Sequence, residues 1–164
     1  MRDWVPVLYG KLDRAVVRLA NRGRLLRLRL QGAHLGKGVR AFGAFQLVGD
    51  ARNLTIGAGS TINPGVLFNL RAPIEIGRNV HLSAATQLHT ARLRIPVSDG
   101  IHDAAPITIG DHVWLGAGVV VGAGVSIGEG SVVGANSVVL RNVARDTLCA
   151  GAPAKILRTL GEKG

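Results

Sequence analysis

From Ile107 to Leu140 the chain reads ITIGDHVWLGAGVVVGAGVSIGEGSVVGANSVVL, and its pattern recurs every six residues. Aliphatic residues stand at Ile109, Leu115, Val121, Ile127, Val133 and Val139, with glycine after each of the first five: Gly110, Gly116, Gly122, Gly128 and Gly134. Four places beyond those steps come Val113, Val119, Val125, Ser131 and Ser137, all small or β-branched. A period of six fits neither the 3.6 of a helix nor the 2 of a long strand. It fits a unit made of one short extended side and one corner. Three such sides close a triangular coil, and coils stack by parallel strand pairing about 4.8 Å apart.

The same grid returns upstream in threes: Leu35, Ala41, Leu47; Ile56, Ile62, Phe68; Ile76, Leu82, Leu88. Fifteen steps in groups of three predict five coils. The glycine beside each step is expected at the corner, where φ can be positive. Breaks in the count fall after Leu47, Phe68 and Leu88, each time after the third step of a coil. All three insertions therefore leave the prism at one corner, and Val48, Asn69 and His89 are expected to stack along that edge. The last insertion, about 90–105, is long for a solenoid corner, and long excursions tend to carry function. It brings in His102 within VSDGIHD. The candidate polar cluster is Asn63, Asn69, Arg71, His89, Asp99, His102 and Asp103; His34, His81 and His112 read as solvated surface residues.

Hydrophobic residues make up 47% of the chain and aromatics only 4%, so the core must be built from Val, Ile, Leu and Ala. The one cysteine, Cys149, excludes an internal disulfide and has no partner at metal-ligand spacing, so no metal is expected. No apolar run reaches transmembrane length and the first residues lack a signal peptide's core, which predicts a cytoplasmic protein. Residues 1–40 carry ten Lys/Arg against Asp3 and Asp13, so the net charge of +10 belongs mainly to that segment and implies no nucleic-acid face on the repeat.

The predicted organisation has three parts. Residues 1–30 form a basic amphipathic segment, helical over about 5–20 and extended beyond, which either caps the solenoid or rests on an anionic membrane at its inner face. Residues 31–150 form the β-helix with its loop 89–105. Residues 151–164 form a turn and a short C-terminal helix.

PITIGDHVWLGAGVVV, GVSIGEGSVVGANSVV and AGAPAKILR, in this order, resemble the C-terminal signature of the hexapeptide-repeat acyltransferases. INPGVLFNLRAPIEIG is similar to the segment before the catalytic loop in their sugar and polysaccharide O-acetyltransferase branch. The resemblance spans about residues 31–158. It implies an all-β, left-handed parallel β-helix assembled as a homotrimer, with acetyl-CoA between neighbouring subunits and a histidine as general base. It also implies CoA contacts at Trp114, Gly116, Ala117, Ala135, Arg141, Lys155 and Arg158. Where many relatives carry their histidine, four residues after His89, this chain has Leu93, which leaves His89 and His102 as the candidate bases.

The chemistry implied is direct acetyl transfer in a ternary complex to a hydroxyl of a sugar or glycan precursor. Histidine suits the removal of the hydroxyl proton, backbone N–H groups at Gly116–Ala117 suit the oxyanion, and basic side chains suit the CoA phosphates. Asn63, Asn69 and Arg71 are candidate acceptor contacts, and Asp99 or Asp103 could orient an imidazole. Two other classes compete. One is a non-catalytic scaffold or membrane-docked binding protein. The other, a γ-type carbonic anhydrase, needs histidines five apart, and here His102 would pair with Ile107 and His112 with Ala117.

Overall fold

The computed structural model describes residues 5–93 and 102–161, with residues 5–15, Leu93 and His102 described through the backbone alone. Three parallel sheets form the faces of a prism. The first stacks His34–Leu35, Leu54–Ile56, Ile74–Ile76, Ile107–Ile109 and Ser126–Ile127. The second stacks Arg40–Ala41, Thr61–Ile62, His81–Leu82, Trp114–Leu115, Val132–Val133 and Thr147–Gly151. The third stacks Gln46–Gly49, Leu67–Leu70, Gln87–His89, Val120–Val121 and Val138–Val139.

The hexad sets the register without a slip. Leu35, Ile56, Ile76, Ile109 and Ile127 are successive partners on the first face. Ala41, Ile62, Leu82, Leu115 and Val133 do the same on the second, and Leu47, Phe68, Leu88, Val121 and Val139 on the third. From Ile56 onward these side chains are buried, and so are Val113, Val119, Val125, Ser131 and Ser137. Side chains alternate across a strand, so one aliphatic residue per side is enough to fill the prism. The two buried serines satisfy their hydroxyls on backbone: Ser137 Oγ donates to Gly134 O and Ser131 Oγ to Ala144 O.

The role expected of the glycines needs correction. Left-handed φ occurs three places after the step, at Gly59, Asn79, His112 and Gly130 on one edge and at Gly65, Ala85, Gly118 and Asn136 on the next. The glycine beside the step is required instead by close approach between coils. A Cβ on Gly110 would lie 2.6 Å from Glu129 N, and one on Gly116 2.6 Å from Ala135 N.

Two terminal expectations also change. The N-terminal helix, α1, runs Val5–Leu30 without an extended strip. The Leu/Arg alternation near its end fits a strand as well as a helix, and helical packing decides the matter. Asn21, Leu25 and Leu28, at spacings of four and three, are the buried residues of its described face. They cover the first coil, and the helix stops in a Schellman motif: Gly32 has φ +98°, Ala33 N donates to Leu28 O and Gly32 N to Arg29 O. At the other end the described residues form no helix. Ala154–Thr159 is a strand that folds back antiparallel on Thr147–Gly151 and extends the second face. The free edge of that sheet offers backbone partners that a terminal helix would leave unused.

Candidate active site

The third face has two borders, and the candidate residues divide between them. On the border with the first face, Val48 pairs with Asn69 and Asn69 with His89, the stack that the insertions predicted. His89 is half-buried, with Nε2 2.9 Å from Gln87 Oε1. Gln87 stands two places earlier on the same strand, so both side chains leave the sheet on one side. Asn69 Oδ1 is buried with no hydrogen-bond partner among the described residues, while its backbone carbonyl accepts from Thr90 Oγ1 at 2.6 Å. Thr90, fully buried, also receives Ala72 N–H at 3.0 Å and so fixes the root of the excursion. Burial makes an unpartnered carbonyl costly, and such atoms concentrate where a partner arrives from outside the chain.

Beyond Thr90 the excursion begins as an antiparallel ribbon in which Ala91, Arg92 and Leu93 pair with Ala104, Asp103 and His102. The register sets His102 directly opposite Leu93. Asp103 faces Arg92, with Arg92 Nη2 at 3.2 Å from its Oδ2, an ion pair that braces the ribbon. Arg71 and Arg141 are exposed residues that follow the third-face strands of their coils. Asp99 lies outside the described residues.

Asn63 does not join this group. It lies on the other border, where its Nδ2 donates to Leu82 O at 2.8 Å and ties one coil to the next. Above it at the same place in the unit come Ser83, Gly116 and Gly134, the backbone N–H of each bonding the coil above. Gly116 N–H is consumed by Val133 O at 2.8 Å, so it is not the oxyanion donor; Ala117 N–H makes no bond among the described residues. Ala135 is stacked over Gly116, and Gly134 faces Ala150. Ala150 pairs with Lys155, and Leu148 with Arg158, both exposed cations of the last strand. Small residues thus stack along this border up to the strand that carries two positive charges.

Trp114 is 55% exposed beside this border, and its indole Nε1–H donates to Ser83 Oγ at 3.0 Å. His81 meets that indole edge-on at 6.4 Å and lies 3.0 Å, through Nδ1, from Thr61 Oγ1. The sequence did not point to Ser83 or Gln87, and it read His81 as a solvated surface residue. Gln87 was legible as the residue two before His89 on one strand; Ser83 becomes visible only when Trp114 is set one coil above His81 by the register.

The repeat unit itself matches the family model "Bacterial transferase hexapeptide (six repeats)" over residues 106–141. The fold superposes on the acetyl-CoA complex of a hexapeptide-repeat acetyltransferase from Vibrio cholerae with a TM-score of 0.81 and 36% identity, covering 86% of this chain and 78% of that one. The chain belongs to the hexapeptide-repeat acyltransferase superfamily. A maltose O-acetyltransferase from Clostridium difficile superposes with a TM-score of 0.78 and 29% identity over 98% of this chain and 90% of its own. A protein of Dictyostelium discoideum named as a candidate acetyltransferase is 40% identical over 114 residues, 68% of this chain. The chain spans 60% of that relative's length. Among the described residues of this hexapeptide-repeat protein, no three His, Cys, Asp or Glu side chains are grouped to hold a metal. Cys149 is buried, and burial pushes its thiol pKa up, away from nucleophilic use.

Proposed function

We propose that this protein transfers an acetyl group from acetyl-CoA to a hydroxyl of a sugar or glycan precursor. The observation that carries the reading is the division of the site between two borders of one face. One border stacks the small residues Gly116, Gly134 and Ala135 next to the strand with Lys155 and Arg158, and the other has Asn69, His89 and the ribbon with His102. The likeness to an acetyl-CoA complex supports the donor, and the likeness to a maltose O-acetyltransferase supports the acceptor class.

In this reading the border at Ala117 and Ala135 takes the donor, with Trp114 against it and the two cations at its phosphate end. A homotrimer would bring this border of one protomer against the histidine border of its neighbour. His89 removes the hydroxyl proton as the oxygen attacks the thioester. Gln87 Oε1 accepts from Nε2–H, which leaves Nδ1 with the lone pair. Ala117 N–H and the Asn69 amide are the polarising groups for the developing oxyanion and the incoming hydroxyl. Arg71 at the same border supplies acceptor contacts. His102, opposite the position where relatives carry their histidine, is the alternative base.

The test is steady-state turnover of His89→Ala and His102→Ala with acetyl-CoA and a panel of glycan acceptors. Loss of a general base costs about 10²–10⁴ in kcat. One variant should fall by that order with acetyl-CoA affinity kept, while the other changes mainly the acceptor KM. If neither lowers kcat tenfold, histidine base catalysis is wrong; acetyl-CoA binding with no turnover by the unaltered protein would make it a scaffold.

A further inference from the structure

Docking of α1 on the first coil accounts for one helical face and leaves the opposite one bare. Val16, Leu19, Leu26 and Leu30 are 61%, 72%, 57% and 80% exposed. With Gly23 they recur at steps of three and four, so they form a single stripe along the helix. The buried Asn21, Leu25 and Leu28 point the other way, which makes the stripe an outward surface of a helix that is already anchored. Between Val16 and Leu30 the chain carries Arg18, Arg22, Arg24, Arg27 and Arg29 and no acidic residue. Arg22 and Arg29 border the stripe on one side and Arg27 on the other.

The charge pattern selects the occupant. In a coiled coil with a second copy of this helix, Arg22, Arg27 and Arg29 would fall at the positions flanking the seam and face like charges, with Gly23 leaving a hole in it. Neither problem arises on a bilayer. Apolar side chains enter the acyl boundary, and arginines extend from both flanks to lipid phosphates, the snorkelling geometry of interfacial helices. No described helix is long and apolar enough to cross a membrane, so the helix would lie on the surface. We infer that α1 is a second binding site, for an anionic lipid surface, through the Val16–Leu30 stripe and its flanking arginines.

The test uses the full chain and co-sedimentation with two kinds of vesicle, phosphatidylcholine alone and phosphatidylcholine mixed with phosphatidylglycerol. Binding is expected only with the anionic vesicles and should weaken as salt rises, because exposed charges are screened within about 10 Å at 0.1 M salt. Arg22→Gln with Arg27→Gln should weaken partitioning about 25-fold, at about fivefold per basic residue removed from the surface. Leu19→Ser with Leu26→Ser should abolish it. Both leucines are exposed, so the melting temperature of that variant should equal that of the unaltered protein and show that the fold survives. The inference is overturned if the chain ignores anionic vesicles, binds phosphatidylcholine equally, or binds as tightly with either pair replaced. It is also overturned if the leucine pair instead breaks a larger assembly of the protein in solution, which would assign the stripe to a second copy.

Discussion

On the border between the second and third faces the six-residue count is never interrupted, and Asn63, Ser83, Gly116 and Gly134 succeed one another coil by coil. On the border between the third and first faces, built from the same unit, residues enter between coils three times and the matching places hold Val48, Asn69, His89, Gly122 and Leu140. The uninterrupted border is held at backbone contact distance: a Cβ on Gly116 would press on Ala135 N at 2.6 Å. Its counterpart Gly122 would meet only Leu140 Cδ2 at 3.2 Å and Val139 O at 3.4 Å. One repeat thus yields a tightly stacked border on one side and, on the other, a corner where polar side chains and an excursion are inserted without disturbing the register.

The contrast is broken or sharpened by substitution at the paired glycines. Gly116→Ala should destabilise by about 1–3 kcal/mol, the range for overpacking against atoms that cannot move. Gly122→Ala should be neutral or stabilise by about 0.5 kcal/mol, since its φ is not left-handed and the neighbouring leucine can give way. Urea unfolding measures both, and equal losses would mean that the two borders are equally constrained.

A smaller effect separates the borders by substrate. Lys155→Ala combined with Arg158→Ala should raise the KM for acetyl-CoA about tenfold and spare the acceptor KM, because exposed charges at a phosphate site contribute modestly. Arg71→Ala should do the reverse. If both variants raise both constants, the assignment of donor and acceptor to separate borders fails.

The smallest effect lies on the remaining border, between the first and second faces. There Arg78 of the third coil clamps Asp111 of the fourth: Arg78 N meets Oδ1 at 2.7 Å, and Nε and Nη2 meet Oδ2 at 2.9 and 2.7 Å. These two coils are the ones separated by the fifteen-residue excursion, so the clamp secures the step where the chain leaves and returns. The Arg78 backbone N–H, then its guanidinium, holds the Asp111 carboxyl below its ordinary pKa. A pKa depressed by folding means a contribution present above the unfolded value, near pH 4, and lost as acid carries the pH down through the folded one. Asp111→Asn should therefore lower the melting temperature slightly at pH 7, and the gap to the unaltered protein should close as acid protonates the carboxyl. A gap that persists in acid would assign the loss to packing.

Sequence alone determined the solenoid, its five coils, the register of their fifteen steps and the edge shared by Asn69 and His89. The reason is that the hexad is local: each unit carries its own inward residue and its own corner, and counting insertions locates every later strand. Tertiary structure decided the rest. Asn63 and Asn69 stand one hexad apart, each directly after an apolar step, so the count sets them on successive borders; only the stacking of coils gives the first a structural bond to Leu82 O and leaves the Oδ1 of the second without a partner among the described residues. The last segment became a strand because the second face ended in an open ladder. The Leu/Arg run of α1 suits two periods, and only packing of Asn21, Leu25 and Leu28 on the first coil chose the helical one and turned Leu19, Leu26 and Leu30 outward.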